Sequence, residues 1–230
     1  MDDLERPKAA FMVSPEGCYL VGDPWIAWFN RAFNQALGTG ELFDGDVRVL
    51  FLMVYPEGWR NQLTALIAPR HFQAVERYHF VCRSVQHDWR VALPEDCGVS
   101  PIDRALLEEQ GEALPDHMVG WMKGNWGSAE AFLGNGFGTV TACGGDIVSW
   151  SLADGASGGA CEIGIRTVPN YRRRGLAAAT AAANVELALS MGFDVVGWHC
   201  PQEKVGSIRT AEKVGFELER AYEGYYARMD

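Results

Sequence analysis

The 230-residue chain has 48% hydrophobic and 22% charged residues and a formal net charge of −10. That length buries a real core and suits one large domain or two small ones, while the acidic balance argues against non-specific nucleic-acid binding, which needs a basic face. The acidic start, residues 1–5, does not read as a signal peptide, and the longest apolar run, Val47 to Tyr55, contains Arg48 and is too short to span a bilayer.

Six cysteines (Cys18, Cys82, Cys97, Cys143, Cys161, Cys200) stand apart, with no Cys-x-x-Cys pair. Neither a zinc nor a redox motif is supported, and a reduced, cytoplasmic chain is the expectation.

In chain order, Asp23 to Leu37 reads as an aromatic-rich helix and Val47 to Tyr55 as a buried strand, which Pro56-Glu57-Gly58 ends with turn chemistry. His71 to Cys82 is a further strand region. Leu93 to Gly98 breaks the pattern and marks a boundary between segments 1–92 and 93–230. Asp103 to Gln110 is helical, and Ser128 caps a short helix that stops at Gly134-Asn135-Gly136. Strands follow at Phe137 to Cys143, Asp146 to Leu152 and Ala160 to Val168, with a hairpin turn at Gly144-Gly145-Asp146. Leu176, Ala179, Ala183 and Leu187 recur at helical spacing between Gly175 and Met191, and Gly192 stops that helix. Val195 to His199 is a buried strand, Ser207 caps a last helix ending at Gly215, and the aromatic tail Phe216 to Tyr226 supplies one or two closing strands.

One stretch runs against the global charge. Arg172-Arg173-Arg174-Gly175-Leu176-Ala177 joins a strand to a long helix. A helix start offers unpaired N–H groups and the positive end of its dipole, a glycine lets an anion approach the backbone, and flanking arginines add charge. The pattern suits a polyanionic ligand. Neither the nucleotide-binding Gly-x-x-x-x-Gly-Lys-Ser/Thr loop nor Gly-x-Gly-x-x-Gly is present.

With Arg172, Gly175 and Ala177 as Arg-x-x-Gly-x-Ala, and Gly206 to Phe216 as a closing helix ending in Lys-x-Gly-Phe, the chain resembles the GNAT (Gcn5-related N-acetyltransferase) superfamily. Arg77-Tyr78-His79-Phe80, Gly145 to Ser149, Glu162 to Ile165 and Trp198-His199-Cys200 resemble the branch that includes the zwittermicin-resistance acetyltransferase. The resemblance implies an α/β fold, a mixed, mostly antiparallel sheet flanked by helices, with residues 1–92 as an extra N-terminal α/β segment. It implies acetyl-CoA as cosubstrate and no metal. Arg172, Arg173, Arg174, Gly175, Leu176 and Ala177 would hold its pyrophosphate, Thr167 and Val168 its pantetheine arm by backbone bonds, and Ser207 is a further coenzyme-binding candidate; Lys204, where relatives often carry asparagine, is either a partner of a coenzyme phosphate or a plain surface lysine.

Strand alternation turns Cys161, Ile163, Ile165 and Thr167 to one face and Glu162, Gly164 and Arg166 to the other. Glu162 then matches the family's strand glutamate and is the candidate base, the alternative being a structural carboxylate. His199 is a second candidate base or a buried, hydrogen-bonded histidine. Where relatives carry an acidic tyrosine this chain has Ala211, leaving Tyr222, Tyr225 and Tyr226 as candidate acids. Trp121 and Trp126, placed in a glycine-rich loop, are candidates to line the acceptor groove. The expected reaction is acetyl transfer to a primary amine of a small cationic molecule by a monomer or homodimer, with no membrane or nucleic-acid partner. A non-catalytic acyl-CoA-binding module and a protein or peptide N-acetyltransferase are the competing readings.

Overall fold

The computed structural model describes residues 1, 3, 5–14, 17–43, 48–91 and 93–229. Asp2 and Leu4 of the acidic start, Val47 at the head of the predicted strand, Ala92 at the predicted boundary and the last residue, Asp230, lie outside the described residues. The chain forms two compact units: Met1–Arg77 with Tyr222–Asp230, and Tyr78–Ala221.

In the first unit, β1 (Ala9–Ser14) and β2 (Gly17–Gly22) pair antiparallel. Helix α1 (Ala27–Thr39) leads to β3 (Val49–Tyr55), which lies parallel to β2, and the short helix α2 (Leu63–Ile67) follows. The last strand, β10 (Glu217–Arg228), returns antiparallel to β3, so the order is β1-β2-β3-β10. Phe29, Phe33 and Leu37 recur every four residues on α1 and are buried, giving it one apolar face. That face packs with Leu20, Leu50, Trp59 and Tyr225. Gly40 ends α1 at φ 78°, a left-handed cap that a side chain would strain.

Strand β4 (Phe72–Cys82) begins in the first unit and finishes in the second. The second unit continues through β5 (Cys97–Pro101), helices α3 (Arg104–Gln110), α4 (Asp116–Trp126) and α5 (Ala129–Asn135), then β6 (Gly138–Cys143), β7 (Asp146–Ser157) and β8 (Ala160–Thr167). Helix α6 (Leu176–Ser190), β9 (Val195–Pro201) and α7 (Val205–Val214) complete it. The strand order is β4-β9-β8-β7-β6-β5. From β5 to β8 the neighbours are antiparallel, and β8 with β9 is parallel. This is the mixed, mostly antiparallel sheet that the resemblance implies.

Ser128 caps α5 by accepting from the Ala131 N–H, as expected, and Asp103, read from sequence as the first helical residue, instead caps α3 by accepting from the Leu106 N–H. Ser207 is a correction. Helix α7 already starts at Val205, and the Ser207 hydroxyl accepts instead from the Trp198 indole N–H at 3.0 Å. The two units divide inside β4 and β10, and Cys97–Pro101, which overlaps the Leu93 to Gly98 break, is a strand.

The reduced chain is corrected too. Cys97 and Cys143 are register partners across β5 and β6 and are joined by a disulfide. Cys18, Cys82, Cys161 and Cys200 are buried.

Helix α6 is buried nearly all round, as an alanine-rich central helix must be. Buried hydroxyls and an amide fix it to the sheet. Thr139 donates to the Thr180 carbonyl, Thr141 shares a hydrogen bond with the Thr180 hydroxyl, and Asn184 donates to Ser151. Each such bond contributes on the order of 1 kcal/mol, and together they aim the α6 N-terminus. Among the described residues, no helix is long and apolar enough to cross a membrane.

Candidate active site

The functional geometry starts where two parallel strands part. β8 and β9 pair only at Ala160–Val195, Cys161–Val196 and Glu162–Gly197. Beyond Glu162 the strand β8 runs on to Thr167. On its other side the Val168 N–H donates to the Val148 carbonyl, next to the opposed pair Ser149–Thr167. Antiparallel alternation therefore turns the backbone groups of Thr167 and Ile165 away from β7, toward the opening. Cys161 and Ile163 lie in the core with α6, as the alternation predicts, and Glu162 faces the other way.

Glu162 is gripped by two histidines. His79 on β4 bonds Glu162 Oε1 through Nε2 at 3.3 Å, and His199 on β9 brings its Nε2 to 3.7 Å from Oε2. The two imidazoles stack with centroids 4.2 Å apart. The Glu219 carboxylate lies 2.9 Å from His79 Nδ1, off the line of a proper hydrogen bond. Gly197 makes room for all this: a Cβ there would overlap the Glu162 carboxylate.

The charges follow from those contacts. Burial disfavours a charged His79, but the Glu162 bond and the charges of Glu162 and Glu219 outweigh it and lift the pKa above 6.5. Burial likewise pushes Glu162 up, and His199 and His79 beside it pull it below 4.5. Glu162 Oε2 is buried and makes no hydrogen bond. It is an ionised oxygen with an open lone pair, which suits it to receive a proton. His79, Glu162 and His199 also offer one metal-ligand atom each, all within 4.8 Å of one another. The face-to-face rings and the direct histidine–carboxylate bond favour proton handling over converging on an ion.

Helix α4 covers the same face of β8. Its Gly120 and Gly124 weaken it intrinsically, and tertiary bonds hold it. A bulge between Ala153 and Gly155 in β7 frees Asp154, which accepts from Trp121 Nε1 and Asn125 Nδ2, each at 2.6 Å. Trp126 Nε1 donates to the Ala153 carbonyl. The Trp121 ring occupies the space a Cβ at Gly164 would need. A cavity of about 590 Å³ opens beside it, lined by His117, Gly120, Trp121, Ile165 and Arg166.

The basic loop ends in left-handed backbone. Arg173 has φ 62° and Gly175 φ 83°, and Gly175 is the N-cap of α6. Arg172 Nε donates to the Thr167 carbonyl, so this side chain braces the loop. Arg174 lies over the Tyr171 ring and 3.8 Å from Asp96. A Cβ at Gly175 would meet only Lys213 Nζ, at 4.0 Å. An open backbone, a helix start and an adjacent lysine make a cradle for an anion.

A family model for GNAT acetyltransferases matches residues 1–225. The chain belongs to the GNAT acetyltransferase family. It is 30% identical over 228 residues to the uncharacterized N-acetyltransferase YdfB of Bacillus subtilis (strain 168), covering 98% of this chain and 84% of that protein. A GCN5-related N-acetyltransferase-like protein from Streptococcus suis 89/1591 superposes with TM-score 0.69 at 25% identity, covering 99% of this chain and 86% of that one. A GCN5-related N-acetyltransferase from Kribbella flavida has the same fold, with TM-score 0.63 at 15% identity over 92% of this chain and 80% of that one.

The acetyltransferase gathers some predicted site residues and not others. Glu162 and His199 meet, joined by His79 and Glu219, which sequence reasoning missed. The signal for His79 was a polar residue within the aromatic and apolar run Tyr78 to Cys82. Tyr222, Tyr225 and Tyr226 belong to the first unit and are engaged there. Tyr222 and Tyr225 accept from Arg77 and Arg60, and Tyr226 stacks on Phe51. The Ala211 position, tyrosine in many relatives, is wholly buried core. Trp121 and Trp126 lie on α4 rather than in a loop; Trp121 lines the cavity, while Trp126 packs on Phe132. Val168 has both backbone groups committed, its N–H to Val148 and its carbonyl to Tyr171. Burial pushes the Cys161 thiol to about 12 and Cys18 to about 11, which disfavours either as a nucleophile.

Proposed function

We propose that this acetyltransferase moves the acetyl group of acetyl-CoA to the primary amine of a small molecule. The observation that carries the reading is Glu162 Oε2, ionised, buried and without a hydrogen bond, at the point where β8 and β9 part. The Arg172–Ala177 loop, with Lys213, fits the coenzyme's pyrophosphate, because backbone N–H groups at the α6 start need partners and Gly175 leaves the approach clear. Thr167 and Ile165 fit the extended pantetheine arm in place of a diverged β9, and Val168 drops out of that set.

Bound acetyl-CoA supplies a thioester carbonyl that a neutral amine can attack, forming a C–N bond and releasing the coenzyme thiolate. The chain's part is to hold the amine near that carbonyl, which can supply much of the acceleration, and to take the ammonium proton. Glu162 Oε2 receives it, directly or through water. The N-terminal unit and the residues quoted above support a place near the branch that includes the zwittermicin-resistance acetyltransferase, while the Cys97–Cys143 disulfide removes the reduced-cysteine argument for a cytoplasmic setting.

The test is a thiol-release assay with acetyl-CoA and a panel of amines, run beside thermal melts. Acetyl-CoA is expected to raise the melting temperature by binding the folded state. Glu162→Gln is expected to keep that rise and to lower turnover by on the order of 10²–10⁴-fold. Retained turnover in the variant would remove Glu162 as the base.

A further inference from the structure

We infer that the acceptor amine also carries a carboxylate, which docks on Arg166. The inference rests on the acetyl-transfer reading above and adds a substrate class to it.

The face of β8 that bears Glu162 also bears Gly164 and Arg166. Asp154 Oδ2 lies 3.0 Å from the position of a Cβ on Gly164. Along about 13 Å of one strand face, the charge therefore passes from negative at Glu162 and Asp154 to positive at Arg166. Among the described residues no acidic side chain forms an ion pair with Arg166, which lines the cavity with His117 and Trp121. Trp150 is the register partner of Arg166 on β7, so its side chain shares that face. It is 2% exposed, and its indole N–H has no partner. His117 sits 5.9 Å from the Trp150 ring, and burial and the Arg166 charge keep His117 toward its neutral form.

This end of the site holds a guanidinium, and the cavity lining contains no carboxylate. A carboxylate oxygen pair answers a guanidinium with two parallel hydrogen bonds. The other end holds Glu162, beside which the amine must lie to give up its proton. A molecule bearing both groups fits this order of charges, and its body would lie against Trp121. Gly120 agrees with the assignment. It weakens helix α4, yet a Cβ there would meet nothing within 4 Å, so the missing side chain leaves the cavity open. The reaction then converts an aminocarboxylate and acetyl-CoA into an N-acetylaminocarboxylate and coenzyme A, with the amine proton leaving through Glu162.

The experiment compares kcat/KM for a panel of α-, β- and ω-amino acids, their amides and the corresponding decarboxylated amines, in the wild type and Arg166→Gln. The expected result is a preference of about tenfold or more for at least one carboxylate-bearing amine over its amide, the size of a hydrogen bond to a charged group. That preference should collapse in Arg166→Gln while acetyl-CoA still raises the melting temperature. Equal use of amides and amines, or a preference that survives the substitution, overturns the inference and leaves the acetyl-transfer reading standing. If no amine releases thiol and acetyl-CoA does not bind, both fall together. If acetyl-CoA binds without turnover, quenching of tryptophan fluorescence by the N-acetylated amino acids decides. Quenching in the wild type that is lost in Arg166→Gln supports the site, and no difference between the two overturns it.

Discussion

His79 and His199 lie face to face, their ring planes 11° apart, and both turn Nε2 toward the Glu162 carboxylate. One ring comes from β4 and the other from β9. A proton that reaches this cluster belongs to the group rather than to one residue. His79, flanked by Glu162 and Glu219, is the ring best placed to carry the positive charge.

His79→Gln should therefore reveal itself through pH. The folded protein raises the His79 pKa above 6.5. Its contribution to stability is fully present below 6.5 and fades as pH rises through the raised value. The variant's melting-temperature deficit should be larger at pH about 6 than at about 9. Loss of the cation beside Glu162 should also move the acid limb of kcat/KM upward. Equal deficits at the two pH values, with an unmoved acid limb, would show that His79 is plain packing.

Gly197→Ala asks whether the position of Glu162 matters, with its chemistry intact. A Cβ at residue 197 overlaps the Glu162 carboxylate, the far end of a flexible side chain, so the glutamate moves before the backbone does. Turnover should fall by about 10²-fold or more, the scale of a lost proton-transfer group. Acetyl-CoA should still raise the melting temperature. A variant with wild-type kcat would show that this placement of Glu162 is not needed.

Gly175→Asp should abolish stabilisation by acetyl-CoA. Residue 175 has φ 83°, which costs any side chain of L chirality. The new carboxylate would also stand at the helix start, where an anionic ligand is expected. Lys213→Ala should weaken the same thermal shift without removing it. An undiminished shift in folded Gly175→Asp protein would place the coenzyme elsewhere.

The parts of the molecule legible in the sequence were those fixed by local chemistry. Ser128 caps a helix because its short side-chain oxygen, placed before an apolar run, satisfies an unpaired N–H of the first turn. Period-two alternation placed Glu162 on the correct face of β8. Helix α4 stayed hidden because two glycines erase its propensity, and only the Asp154 bonds and buried Met118 and Met122 restore it. His79, Glu219 and Glu162 are far apart in sequence, and the sheet order that joins them is not a local property. The Cys97–Cys143 pair likewise needed the register of β5 against β6.

That sheet order also bears on how separable residues 1–92 are. Read from sequence, they form an accessory segment ahead of the catalytic domain. In the fold, β4 is a strand next to β9, and its residues 78–82 belong to the second unit. A chain beginning at Leu93 loses His79 from the Glu162 cluster and Phe80 and Cys82 from the core under α6. It also removes β3, the partner of the β10 tail. Truncating one buried phenylalanine costs about 3–5 kcal/mol, against a total stability of about 5–15 kcal/mol for a typical domain. The truncated chain should fail to fold cooperatively, with no near-ultraviolet circular dichroism and no thermal shift from acetyl-CoA. Phe80→Ala in the full chain keeps the question answerable if the truncation only aggregates: its melting temperature should drop by several degrees while acetyl-CoA still stabilises it. A soluble chain from Leu93 with wild-type kinetics would show that β4 is dispensable and that the first segment is a separate module after all.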